Sequence, residues 1–129
     1  MFNGQSEHTC DQKGRVIIPS KFREELGDSF FIARGFEHED CLFVYSKEEW
    51  HSFLTTLTEP SDFDSDVRRR RRLFSASSEE CETDKQGRVL IPSYLREYAG
   101  IQSSVTVIGN ISRLEIWDSE KWKAYQRGV

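Results

Sequence analysis

Two arginines each stand one residue past a glycine in the same short phrase, D-x-x-G-R. The first is Asp11, Gly14 and Arg15; the second is Asp84, Gly87 and Arg88. This spacing suits a tight turn entering a strand, because glycine permits a positive φ and an aspartate side chain accepts backbone N–H bonds inside a turn. An arginine held at the first strand residue needs little further ordering. Its planar fork can meet a phosphate, or the O6/N7 edge of guanine, in a bidentate manner. The same residues allow a plainer role, in which aspartate and arginine pair within a turn or across the two copies and fix it. An exposed pair of that kind contributes about 0–1 kcal/mol. Lys13 adds charge beside Arg15 and Lys85 adds it near Arg88, but the two lysines are not equivalent: Lys13 aligns with Gln86, and Lys85 with Gln12.

The two phrases belong to a duplication. Residues 11–27 and 84–100, aligned at an offset of 73, share ten identities in 17 positions. After one gap the echo resumes at an offset of 72, pairing LFVYSKEEW (Leu42 to Trp50) with LEIWDSEKW (Leu114 to Trp122). Each copy reads in the same order. Val16 to Ile18 and Val89 to Ile91 are short apolar runs stopped by Pro19 and Pro92, as strands are when a backbone donor disappears. A short helix follows, with Phe22 and Leu26 on one face and Gly27 at the C-terminal cap, matched by Leu95, Ala99 and Gly100. Two more strands are expected at Phe30 to Arg34 and Leu42 to Tyr45, and again at Val105 to Ile108 and Leu114 to Trp117.

Ser46 with Glu49 makes a capping box for a helix carrying Trp50, Phe53, Leu54 and Leu57, ending before Pro60. Asp118 caps its counterpart, which carries Trp122 and Tyr125. Phe63, Val67 and Phe74 fit one face of a helix in the linker. The expected organisation is a first repeat over 1–58, a linker helix and leading strand over 59–82, and a second repeat over 83–129. A unit of roughly 60 residues is marginal alone, so the repeats are expected to interlock into one mainly β (α+β) domain with pseudo-twofold symmetry.

The chain has 129 residues, 36% of them hydrophobic and 31% charged, which is the composition of a soluble globular protein. A net charge of -4 excludes a general polycation, so any nucleic-acid contact must come from a local basic patch. The N-terminus lacks the pattern of a secretory signal, and no apolar run approaches the roughly 20 residues that span a bilayer. A cytoplasmic protein is expected. Three cysteines with no C-x-x-C pair fit a reducing compartment.

Other chemistries lack their residues. His8, Cys10 and Cys81 do not form a zinc set, which needs three or four ligands at stereotyped spacing. His8, His38 and His51 occupy unrelated contexts, so no nucleophile–base arrangement is legible and no catalysis is expected. No phosphate loop or dinucleotide fingerprint occurs, and no cofactor or metal is expected. Trp50, Trp117 and Trp122 follow helical and strand periodicity, which assigns them to the core rather than to base stacking.

MFNG at the start, DQKGRVIIPSKFRE in copy one and DKQGRVLIPSYLRE in copy two resemble the MraZ family, a two-motif branch of the AbrB-like swapped-hairpin superfamily. The resemblance implies a duplicated swapped-hairpin or pseudo-barrel fold with short flanking helices. It implies a transcriptional regulator that binds double-stranded DNA at short direct repeats in the promoter of the cell division and cell wall gene cluster. It also implies a homo-oligomeric ring, often an octamer, associated with the nucleoid. Carried over by position, Asp11, Lys13, Gly14 and Arg15 in copy one and Asp84, Gly87 and Arg88 in copy two face DNA. Arg15 and Arg88 are expected to contact it directly, Lys13 and, by its charge, Lys85 to attract phosphate, and Asp11, Gly14, Asp84 and Gly87 to shape the turns. Arg15 is expected to be the stronger contact, because Lys13 reinforces it. Cys10 and Thr83 depart from the aliphatic residue usual before each aspartate. The run Arg68 to Arg72 could form a second phosphate-contacting stripe, or a solvated helix face paired with Asp62, Asp64, Asp66 or a neighbouring subunit. A second functional class, an antitoxin-like protein-interaction module, would call for a long tail after the last strand. The chain stops about a dozen residues beyond that strand.

Overall fold

A computed structural model describes residues 1–36, 38–58 and 63–128 of the chain. The first copy contains β1 (Gln5–Thr9), β2 (Arg15–Ile17), α1 (Ser20–Leu26), β3 (Ser29–Arg34), β4 (Leu42–Ser46) and α2 (Lys47–Thr58). The second follows α3 (Ser65–Ser77), with β5 (Glu79–Glu82), β6 (Arg88–Leu90), α4 (Ser93–Ala99), β7 (Ser104–Asn110), β8 (Arg113–Asp118) and α5 (Ser119–Gln126). Among these residues no helix is long and apolar enough to cross a membrane.

Six strands form one antiparallel sheet in the order β1-β7-β8-β4-β3-β5, and β2 pairs with β6 in a separate two-stranded ribbon. The leading strands are exchanged. β1 of the first copy pairs with β7 of the second, while β5 of the second pairs with β3 of the first. Equivalent positions face each other in two places, Val16 opposite Val89 in the ribbon and Phe43 opposite Glu115 between β4 and β8. A pseudo-twofold axis therefore passes through both pairs.

The four central strands read as near-continuous apolar runs because both faces of the sheet are covered. On one face Phe30, Ile32, Leu42, Val44, Leu114 and Ile116 form a core with Val16 and Val89 of the ribbon and with Phe22 and Leu95 of α1 and α4. On the other, Phe43, Tyr45 and Trp117 lie in a second cluster with Trp50 of α2 and Phe74 of α3. Stacked rings tie this layer together, Tyr45 on Phe53 at 4.8 Å and Trp50 on Phe74 at 5.2 Å. The tryptophans at 50 and 117 are buried, as their periodicity required, whereas Trp122 is only half-buried against the same cluster.

The capping residues act as expected. Ser46 Oγ accepts the Glu49 N–H at 3.2 Å, and Asp118 accepts that of Lys121 at 3.3 Å. The linker helix exists, but Phe63 does not belong to its apolar face. Asp64 accepts the N–H groups of Asp66 and Val67, which starts α3 at Ser65 and leaves Phe63 outside it, 96% exposed. The cap, not the spacing of apolar residues, sets the boundary. Pro60 and Asp62, assigned above to a helix stop and to charge pairing, lie outside the described residues.

Candidate functional site

Each D-x-x-G-R phrase folds into the same closed turn. Asp11 N–H donates to the Arg15 carbonyl at 3.0 Å, and Gly14 N–H donates to the Asp11 carbonyl at 3.0 Å. Asp11 Oδ1 accepts the backbone N–H groups of Lys13 and Arg15, at 3.0 and 2.9 Å. Its Oδ2 accepts Arg15 Nε at 2.7 Å. In the second copy Asp84 repeats the set with Gln86, Arg88 and Arg88 Nε, each at 2.9 Å. The aspartate–arginine pairing thus occurs within each turn, not across the two copies. Hydrogen bonds from the following arginine's backbone N–H are the main reason that both carboxyls lie below their ordinary value.

The pairing leaves the other end of the fork open. Among the described residues, no hydrogen bond engages Nη1 or Nη2 of Arg15 or Arg88, and both side chains remain partly exposed, at 30% and 28%. The aspartates therefore orient the guanidiniums through Nε without consuming the Nη edge that bidentate recognition uses. Lys13 and Lys85 stand exposed on the turns beside them.

Both turns are anchored to the ribbon, at opposite ends. Gly14 carbonyl accepts the Ile91 N–H and Gly87 carbonyl accepts the Ile18 N–H, both at 2.9 Å. In the ribbon register Arg15 faces Leu90 and Ile17 faces Arg88. Strand alternation turns Val16 and Val89 into the core, so Arg15, Ile17, Arg88 and Leu90 share the outward face. The two arginines occupy diagonal corners of that face, roughly 7–8 Å apart at the backbone.

A second pair of arginines shapes the turns from behind. Gly14 and Gly87 have φ of 90° and 79°, and a Cβ on either would overlap a guanidinium, Arg96 over Gly14 and Arg23 over Gly87. Arg96 Nη1 donates to the Ile91 carbonyl at 2.5 Å. Each helix thus packs an arginine on the other copy's turn. The only sequence signal for this role is that Arg23 and Arg96 are identical at equivalent positions.

The remaining candidates are not drawn to this site. His8 on β1 and Cys81 on β5 lie at opposite edges of the sheet. His8 Nε2 shares a hydrogen bond with Ser6 Oγ at 2.8 Å, and burial pushes the Cys81 thiol up to about 11. Glu39, Cys41 and Glu115 bring ligand atoms within 4.8 Å of one another. Burial raises the Cys41 thiol, however, and Glu115 already accepts hydrogen bonds from Asn110, Arg113 and Trp117. That set favours an internal polar network over a metal. The run Arg68 to Arg72 lies on α3, whose Phe74 packs on the sheet face opposite the ribbon, so the sheet stands between these arginines and the turns.

Exchanged leading strands and twinned glycine turns define a single-chain duplicate of the swapped-hairpin fold, mainly β with short flanking helices. A family model described as "MraZ protein, putative antitoxin-like" matches residues 1–73 and again residues 74–128, and the chain belongs to the MraZ family. It is 50% identical to "Transcriptional regulator MraZ" of Acetivibrio thermocellus over 125 residues, 97% of this chain and 86% of that one. Proteins of the same description from Caldanaerobacter subterraneus subsp. tengcongensis and Thermoanaerobacter sp. are 50% and 51% identical over all of this chain and 89% of theirs.

Proposed function

We propose that the chain is a transcriptional regulator that binds double-stranded DNA in a sequence-specific manner through the outward face of the β2–β6 ribbon. The observation that carries this reading is the pair of arginines on one ribbon face, each held through Nε by its own aspartate with the Nη edge open. A two-stranded ribbon fits a major groove about 12 Å wide, and paired Nη groups match the O6/N7 edge of guanine. Arg15 and Arg88 contact bases, Lys13 and Lys85 attract phosphate, and Asp11, Gly14, Asp84 and Gly87 hold the geometry. The names of the relatives support the regulatory role.

The protein works in the cytoplasm, on the nucleoid, as a homo-octameric ring on direct repeats in the promoter of the cell division and cell wall gene cluster. A ring reconciles DNA binding with a net charge of -4, because several small basic faces act together through effective concentration. Selection of bound duplexes from a random library, followed by gel shift and light scattering, tests the reading. Arg15→Ala abolishes specific binding and leaves the assembly's mass unchanged. Undiminished binding by that variant overturns the assignment, and a stoichiometric protein partner retained in place of DNA favours the antitoxin-like alternative.

A further inference from the structure

The ribbon's outward face carries two large aliphatic side chains as well as its arginines. Ile17 is 42% exposed and Leu90 is 59% exposed. Single exposed aliphatics are ordinary on a protein surface. These two are repeat equivalents, they share a face of two three-residue strands, and they occupy one diagonal while Arg15 and Arg88 occupy the other. Each aliphatic stands directly across from an arginine, Ile17 from Arg88 and Leu90 from Arg15. Nothing in the fold requires an apolar residue there, since Val16 and Val89 already fill the inner face.

The charges around the pair decide what covers it. Arg15 and Arg88 share the face, and Lys13 and Lys85 stand on the flanking turns, so a second copy of the ribbon placed face-on would oppose like charges. A polyanion is the complementary occupant. Within the major groove the apolar group that projects from the base edges is the C5-methyl of thymine. We propose that Ile17 and Leu90 are specificity-determining residues that contact thymine methyl groups beside the bases met by Arg88 and Arg15. This rests on the duplex-binding reading above. Cross-strand neighbours lie about 4.5–5.5 Å apart at Cβ. Base steps are about 3.4 Å, which places each thymine within two steps of the base its partner arginine contacts.

The test uses the full chain and the tightest duplex it selects from a random library. Each thymine is replaced in turn by uracil, which removes only the methyl group. Replacement at either of two positions, one for each aliphatic side chain, weakens binding of the wild-type chain by about four-fold per methyl. The variants Ile17→Ala and Leu90→Ala each lose sensitivity to uracil at one of those positions and keep it at the other. The proposal is overturned if every uracil duplex binds the wild-type chain as tightly as the parent, if the selected site lacks thymine, or if both variants remain as sensitive as the wild type. Those results, obtained with a duplex whose binding still depends on Arg15 and Arg88, leave the duplex-binding reading standing. Failure to select any duplex overturns both.

Discussion

The Arg96 guanidinium occupies the space that a side chain on Gly14 would need, and it donates to the Ile91 carbonyl at 2.5 Å from there. Gly14→Ala therefore meets two obstacles, a positive φ of 90° and a displaced hydrogen bond to a charged group. In the wild-type background the substitution is expected to cost about 1–2 kcal/mol more than in an Arg96→Ala background. At this chain length that difference corresponds to about 3–8 °C in Tm. Thermal denaturation of the four proteins in the cycle measures it.

Acid should loosen the turns. The carboxyls of Asp11 and Asp84 lie below their ordinary value, chiefly because each accepts the backbone N–H of the arginine four residues on. A depressed folded pKa contributes stability above the unfolded value, near 3.9, and that contribution disappears as pH falls through the folded value. The doubly substituted Asp11→Asn, Asp84→Asn protein should be less stable than wild type at neutral pH. The gap in Tm should narrow below about pH 4, and a gap constant with pH would contradict the role given to these carboxylates.

The turns are similar in geometry and different in charge, with Lys13 in one where Gln86 stands in the other. Arg15→Ala should abolish specific duplex binding, and Arg88→Ala should weaken it by about 10–100-fold. Lys13→Ala should reduce the slope of log K against log salt by about 0.9 while leaving sequence preference intact. Fluorescence anisotropy at several salt concentrations distinguishes these effects, and a larger loss for Arg88→Ala would reverse the ranking.

Exchange of the leading strands makes each half depend on the other. Residues 1–73 alone would lose the partners of β1 and β2, the β8 neighbour of β4 and the outer neighbour of β3, keeping only the β3–β4 pairing. The intact chain is expected to unfold in one cooperative transition. The fragments 1–73 and 74–128 should lack fixed tertiary structure separately and regain the near-ultraviolet circular dichroism of the intact protein when mixed. Two resolved transitions in the intact chain would contradict this.

Much of this architecture is legible in the chain itself, for identifiable reasons. β3, β4, β7 and β8 are long apolar runs because the sheet is covered on both faces, and the repeat confirms each run by its double. Ser46 and Asp118 announce helix starts through a side chain and a spacing. β1 is less visible. Gln5–Thr9 is an edge strand of mostly exposed polar residues, and its partner β7 lies about a hundred residues away with no local mark of the pairing. Phe63 misleads for the opposite reason, since its spacing suits a helix that Asp64 prevents it from joining. At the turns, aspartate, glycine and arginine carry their roles in their types. Arg23 and Arg96 do not, because filling a glycine's empty side-chain space is a three-dimensional property.

The pairing of Phe43 with Glu115 shows what joining the two copies in one polypeptide makes possible. A symmetric assembly of two identical chains must place a residue against itself wherever the axis crosses a strand pair. At this point the choice would be phenylalanine on phenylalanine, or two buried glutamates repelling each other. Fusion removes that constraint. Arg113 lies over the Phe43 ring at 3.6 Å and binds Glu115 at 2.7 Å, an arrangement with no mirror in the other half. Covalent linkage has let the centre of a symmetric scaffold become individual, so the two halves can diverge in sequence without losing their common frame.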